Sequence, residues 1–568
     1  MTVGNHKWFS PFSPERRIGT VTKVLPTTAI VNLPDAASLG GRQHLGSRIG
    51  AGELGEFVFI DCGELAVLGR VVEISLSSAD RLSVETKLSD MVEASPFGII
   101  QLLTTVVVQT GELRRGIVRH PRLGAQVFSA DSHLVKSIVE GKANAKIRHF
   151  IELAELPETE ATKINLTPEH VFGRHCAVLG ATGGGKSWTV AKLVEEISRS
   201  KGKAILIDAT GEYYETPGRH YFVGDRGRNE PATTTEAVFP YSLLVEDDLF
   251  AIFRPSPGAQ APKLREAIKS LKLARLDPGQ FSGDNGCVIK AQRNAANLGS
   301  LFRTHKAGLT NPRADFDITL LADQIRHECF KPFVNSGLWG AADESSFGYC
   351  ISLINRIETY LSTPDLAFLF DPQTKTTIPN AIAAFLADAN SHVLRISLEG
   401  VQFGVNAREI LVNAIGRSLL QLARAGQFRD APMIVLLDEA HQFLNKNIGD
   451  EFLQVHLDSF SLVAKEGRKY GLSAVIATQR PRDIPDDVLS QMGTMIVHRL
   501  VSHFDRETVE RASGEIDKAA TSFLPVLGQG EALVIGVDFP VPLAVKMIPP
   551  NAPPKSNGPD FQKSWTRA

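Results

Sequence analysis

Gly180-Ala181-Thr182-Gly183-Gly184-Gly185-Lys186-Ser187 gathers four glycines, a lysine and a hydroxyl into eight consecutive residues. Such a set is suited to a polyphosphate. Glycines let backbone N–H groups close around phosphate oxygens without side-chain clash, the lysine ammonium reaches the β- and γ-phosphates, and the serine hydroxyl ligates Mg²⁺. The apolar run Cys176-Ala177-Val178-Leu179 before the loop reads as a buried strand. Behind it Val190, Leu193, Val194 and Ile197 recur at helical spacing. A strand that turns into a helix here aims its amides and the positive end of the helix dipole at an anion. Gly180, Ala181, Thr182, Gly183, Gly184, Gly185, Lys186, Ser187 and the adjoining Trp188 are therefore the expected ATP contacts, with Ser187 also on the metal.

A second apolar run, Met433-Ile434-Val435-Leu436-Leu437, ends in Asp438-Glu439-Ala440-His441. A carboxylate at the end of a core strand can hold a Mg²⁺ shell, which suits Asp438. Its neighbour Glu439 is placed to polarise an attacking water. The letters DEAH invite comparison with one class of nucleic-acid helicases, but Lys186 and Asp438 lie too far apart in the chain for that compact arrangement. A large insertion must separate them.

Two downstream segments complete the set. Thr478-Gln479-Arg480-Pro481 closes another apolar run, and a polar Gln479 at a core strand's carboxyl end can hydrogen-bond a γ-phosphate and register its loss. Glu466-Gly467-Arg468-Lys469-Tyr470-Gly471 offers Arg468 as an arginine finger. An arginine delivered by a neighbouring subunit is worth roughly 10³–10⁵ in rate.

The elements that position these groups follow from the rest of the chain. With 568 residues and 43% hydrophobic content, several packed cores can be filled, and roughly three or four domains are expected. The formal net charge of −2 excludes a bulk basic surface, so nucleic acid would have to meet a local positive lining, such as the inside of a ring. Cys62, Cys176, Cys287, Cys329 and Cys350 are scattered and lack any CxxC pair, which reads as reduced core thiols and neither a disulfide frame nor a zinc site. Residues 1–17 carry no apolar signal core and no apolar stretch approaches ~18 residues, so the expectation is a soluble, cytoplasmic protein with no membrane partner.

Residues 1–150 hold short β-rich runs (Thr20–Val24, Thr28–Leu33, Phe57–Ile60, Leu68–Ile74) punctuated by Gly, Pro, Asp and Asn, which predict a small barrel. The barrel region shows no cluster of His, Cys or acid pairs, and is expected to serve as a docking platform. An acid-rich linker, Glu152 to Glu169, leads to the loop. Residues 151–240 form the first part of an α/β core and 241–390 a helical insertion, where Leu264, Ile268 and Leu271 share one face and Phe347, Ile351, Ile354 and Leu361 another. Residues 391–548 resume the core with alternating strands and helices, the pattern of a doubly wound, mostly parallel sheet. Residues 549–568 are a Pro-rich tail. Basic residues in the expected loop Asn445-Lys446-Asn447, or Arg480 and Arg482, are the candidate DNA contacts.

On Gly180–Ser187, Leu437–His441, Glu466–Gly471 and Ala477–Pro481, the chain resembles the HerA family, within the HerA/FtsK group of P-loop DNA translocases. The β-rich start resembles the barrel that precedes that family's RecA-like ATPase core. The resemblance implies a homo-hexamer that moves double-stranded DNA, with ATP sites between subunits. It also implies a partner effector, a nuclease or, in some bacterial relatives active in phage defence, an NAD-consuming enzyme. By position, Arg174 and Arg468 both resemble interface arginines of the family. Three functions stay open at this level: a DNA-translocating motor, a nucleotide-gated scaffold that activates an effector without translocation, and a remodeller of protein substrates.

Overall fold

The computed structural model describes residues 11–37, 42–44, 47–50, 52–76, 96–140, 149–157, 162–227, 230–279, 285–313, 315–331, 337–371, 375–402, 404–444, 446–450, 453–513, 518–539, 541–555 and 565. Two compact units emerge: Met1–Ser200 with Thr478–Asn551, and Lys201–Ala477 with Ala552–Ala568.

The first unit begins with a closed six-stranded barrel. Its strands run in the order Thr28–Asn32, Arg17–Val24, Gln126–Ser129, Phe57–Asp61, Leu65–Ser75 and Phe97–Val107, and the last pairs back onto the first. Every pairing is antiparallel. Alternation along Phe97–Val107 sends every second residue inward, where Val31, Val58, Ile60, Val67 and Ile100 pack with no exposed surface. Closure removes the free strand edges that would otherwise invite pairing with another chain. The expected barrel is present.

The same unit carries a second sheet. Cys176–Leu179 lies parallel to Thr494–His498, and the order continues antiparallel through Glu531–Ile535, Leu543–Met547, Ile151–Glu155 and Lys163–Leu166. The last two strands fall in the segment expected to be an acid-rich linker. Ile151 and Leu153, like Ile164 and Leu166, are buried at alternate positions, so a period-two pattern lies hidden between the acids. Thr167 then caps the helix Pro168–Phe172 by accepting from His170 N–H.

The second unit is built on seven parallel strands in the order Leu472–Thr478 (its last residue assigned to the first unit), Met433–Leu437, Lys203–Asp208, Val393–Ser397, Arg219–Phe222, Thr235–Val238 and Thr376–Thr377. Parallel strands covered on both faces read as unbroken apolar runs, as Met433–Leu437 does. Between Thr235–Val238 and Val393–Ser397 the chain is mainly helical, as expected of an insertion. Leu264, Ile268 and Leu271 are buried together on the helix Gln260–Leu276. On Glu344–Ser362 the expected face is displaced. Cys350, Leu353, Ile354 and Ile357 form the buried stripe, and Ile351 is 46% exposed. A thiol counts as apolar when buried, so the sequence reading set the face one step off by passing over Cys350. The fold class is α/β, a RecA-like P-loop core of mostly parallel strands with an N-terminal barrel and a helical insertion. No helix among the described residues is long and apolar enough to cross a membrane.

Candidate functional site

In the first unit the loop Gly180–Ser187 joins the buried strand Cys176–Leu179 to the helix Lys186–Arg199, as its residue types require. Gly183 and Gly185 take φ of +77° and +111°, which L side chains rarely adopt. Gly180 is needed for a different reason, since a Cβ there would stand 2.6 Å from Cβ of His498. Lys186 is buried in the first helical turn, Ser187 is half-buried beside it, and Trp188 is 45% exposed. The hydroxyl of Thr182 donates to Oε1 of Gln479 at 2.5 Å, so two sequence-predicted residues nearly three hundred positions apart meet. The loop opens on a cavity of about 330 Å³ lined by Ala181, Thr182, Gly183, Gly184, Arg499, Val501, Gly528 and Gln529.

The sequence reading missed His498, which lies under this loop. It ends the strand Thr494–His498, is fully buried, and touches the places where Gly180, Gly184 and Gly185 would carry a Cβ. Its Nδ1 lies 2.9 Å from the carbonyl of Glu531, which makes Nδ1 the donor, and Nε2 accepts from the Thr189 hydroxyl at 2.8 Å. Burial above all, helped by the nearby Lys186 ammonium, pushes the imidazole down to about 4 against the upward pull of backbone hydrogen bonds to Glu531 and Gly184. The ring is neutral at physiological pH. A polar residue ending an apolar run was the available signal, the same one that singled out Gln479.

The second unit holds the acidic pair. Asp438 follows Met433–Leu437, is buried, and its N–H donates to the carbonyl of Ile207 at 3.2 Å. Glu439 is buried with φ of +48° and ψ of 44°, a left-handed conformation costly for a branchless but bulky acid. Such strain is kept where surrounding structure imposes it, and it clusters at functional sites. Nδ1 of His441 lies 3.2 Å from Oε2 of Glu439. The neighbouring strand ends in Asp208, whose carboxylate accepts from the N–H groups of Thr210, Gly211, Glu212 and Tyr213 at 2.8–3.3 Å. Arg395, fully buried, donates to Asp208 at 2.7 Å and forks onto both oxygens of Glu230 at 2.6 and 3.1 Å. Burial alone would raise Glu230, but Arg395 outweighs it and holds the carboxyl below its usual range. The clue to this cluster was a single arginine inside the apolar run Val393–Ser397.

Arg468 sits on the short turn Gly467–Tyr470 after the helix Ser459–Glu466, exposed, and among the described residues no acid pairs with it. Arg174, in the first unit, lies 3.3 Å from the Asp538 carboxylate. Arg480 and Arg482 both stand within 3.8 Å of Asp483. The expected loop at Asn445-Lys446-Asn447 is corrected in part. Asn445 lies outside the described residues, while Lys446 and Asn447 belong to a hairpin strand, Lys446–Asp450, paired with Leu453–Leu457. Among the described residues no group of three or more His, Cys, Asp or Glu could hold a metal. Mg²⁺ needs no such group, since it takes few protein ligands and completes its shell with phosphates and water.

The family description "Helicase HerA, central domain" matches residues 151–290, and "Helicase HerA-like C-terminal" matches 415–558. A probable helicase of Methanocaldococcus jannaschii is 24% identical over 520 residues, covering 88% of this chain and 86% of that protein. A DNA double-strand break repair helicase HerA of Saccharolobus solfataricus is 24% identical over 459 residues, covering 79% and 77%. Among solved structures, VirB4 of Thermoanaerobacter pseudethanolicus is 16% identical with a TM-score of 0.41, covering 71% of this chain and 97% of its own. The plasmid coupling protein TrwB bound to a non-hydrolysable GTP analogue is 15% identical with a TM-score of 0.43, covering 75% and 93%.

Proposed function

This chain belongs to the HerA family, and we propose that it is an ATP-hydrolysing motor, working as a homo-hexamer that translocates on or unwinds double-stranded DNA. Relatives named as DNA double-strand break repair helicases support the choice of DNA as the track. The observation that carries the reading is the bond between Thr182 of the phosphate loop and Gln479, which ties the group that would sense the γ-phosphate to the segment bearing Arg480 and Arg482. In this reading Lys186 and the amides of Gly180–Gly185 hold the triphosphate. Ser187 and Asp438 are the residues that would hold Mg²⁺, which when bound would neutralise phosphate charge. Glu439 takes the proton of the attacking water, and its strained backbone fixes the carboxylate for that task.

Arg468 is the better finger of the two candidate arginines, because Arg174 is already engaged by Asp538 while Arg468 is exposed with no acid paired to it among the described residues. A head-to-tail ring would offer the same arginine at every site. The cytoplasm is the fitting location, and a partner effector, a nuclease or an NAD-consuming enzyme in phage defence, would dock on the barrel of residues 1–150. A second reading, the nucleotide-gated scaffold, draws on the net charge of −2, which supplies no broad electrostatic footprint for DNA.

The test is the ATPase rate of the purified chain with and without double-stranded DNA, at low and raised salt. Stimulation by DNA that fades with salt is the expected result, because each neutralised phosphate releases counterions. A rate indifferent to DNA but raised by a partner protein would replace the motor with the scaffold.

A further inference from the structure

We propose that Arg499, Val501 and Gln529 form the nucleoside subsite of the ATP site, a proposal that rests on the nucleotide-binding reading above. The cavity of about 330 Å³ at the loop has two kinds of lining. Ala181–Gly184 present small residues and backbone amides, which suit phosphates. The remainder presents the side chains of Arg499, Val501 and Gln529, of which Val501 and Gln529 have no use for a phosphate chain alone. Val501 is 60% exposed, an apolar surface standing in water at the rim of a polar site. A purine face laid on it would remove that surface from water. Arg499 is exposed beside it, and a guanidinium plane stacks on flat heterocycles. Gln529, exposed on the turn Gln529–Gly530, carries a donor and an acceptor in one plane, the equipment needed to meet a base edge.

The backbone that carries these side chains is tied to the loop by hydrogen bonds. Ala181 N–H donates to the carbonyl of Arg499 at 3.0 Å, and Gly530 N–H donates to the carbonyl of Gly184 at 3.4 Å. His498 bridges from beneath, holding Thr189 of the loop helix and the carbonyl of Glu531 at the same time. The phosphate and nucleoside walls therefore move as one body, so a base that seats correctly also sets the loop. Trp188, though exposed and aromatic, is not part of this lining.

Calorimetric titration of the full chain with Mg-ATP and, separately, with Mg-tripolyphosphate tests the assignment. Wild type should bind ATP about tenfold or more tighter than tripolyphosphate, a gap that corresponds to about 1.4 kcal/mol. The double variant Val501→Ser, Gln529→Ala, altered only at exposed positions, should shrink that ratio to about twofold and leave tripolyphosphate affinity unchanged. Arg499→Gln should weaken both ligands and ATP the more, since a guanidinium can meet phosphate as well as a base. An ATP preference that survives the double variant, or an equal loss for both ligands, overturns the subsite. Wild type that binds tripolyphosphate as tightly as ATP overturns the subsite and leaves the phosphate loop standing. Binding of neither ligand removes the nucleotide reading, and the subsite with it.

Discussion

Beneath the phosphate loop of the first unit lies an uncharged ring, His498, whereas beside the acidic strand of the second lies a permanent cation, Arg395. Both residues are fully buried at the carboxyl ends of core strands or within them, and both tie together neighbours distant in sequence. They do it by opposite means. In the proposed reading the loop receives an anion, and its support is built from amides, hydroxyls and an imidazole that burial keeps neutral, with no carboxylate side chain among the described residues bonded to that ring. The acidic end has to keep carboxylates close together, and Arg395 cancels the charge of Asp208 and Glu230 so that their strand ends stay folded. Binding charge and retaining charge call for different scaffolds, and this chain places one in each unit.

The sharpest way to break the comparison is at the exposed cation of the second unit. Arg468→Ala should retain ATP binding and reduce turnover by on the order of 10³ or more. Rings mixed from Arg468→Ala and Lys186→Ala chains should recover part of the activity, wherever an intact arginine faces an intact loop. Parent-rate hydrolysis by Arg468→Ala would remove the finger from the account.

The next effect is on stability. Arg395→Met keeps much of the volume but leaves Asp208 and Glu230 buried without their partner, and should cost about 3–5 kcal/mol in denaturant unfolding. A loss under about 1 kcal/mol would mean that the cluster is no more than a surface-strength pair.

The smallest effect belongs to His498. Its pKa falls from 6.5 to about 4 on folding. Between those values the unfolded chain holds a proton that the folded chain does not, so stability declines as pH drops through this window and is fully present above it. From pH 7 to 4.5 the histidine alone should account for on the order of 2 kcal/mol, and His498→Gln should lose that part of the slope. An unchanged slope would show that the imidazole is not the group that resists protonation.

Much of this was legible because its chemistry is local. The loop, its flanking strand and helix, and the Asp438 strand announce themselves through glycine, lysine and apolar runs. The barrel strands likewise show period-two alternation between turn residues. Other features were hidden because their partners are distant in sequence. Nothing near Arg395 indicates that Glu230 will meet it, and nothing near Thr182 points to Gln479, although each residue type was suggestive by itself. Ile151–Glu155 and Lys163–Leu166 escaped notice because acids between the apolar positions made two strands look like a linker. The backbone strain at Glu439 has no sequence signature at all.

The central claim is that triphosphate binding belongs to the loop and bond cleavage to the acidic pair. Measuring ATP affinity and ATP turnover side by side for Lys186→Ala and Glu439→Gln separates the two. Lys186→Ala should lose binding, because the ammonium is the main point charge on the β- and γ-phosphates. Glu439→Gln should bind ATP as the parent does and hydrolyse it ~10²–10⁴-fold more slowly. Glu439→Gln turning over ATP at the parent rate, or Lys186→Ala binding it with parent affinity, would contradict the account.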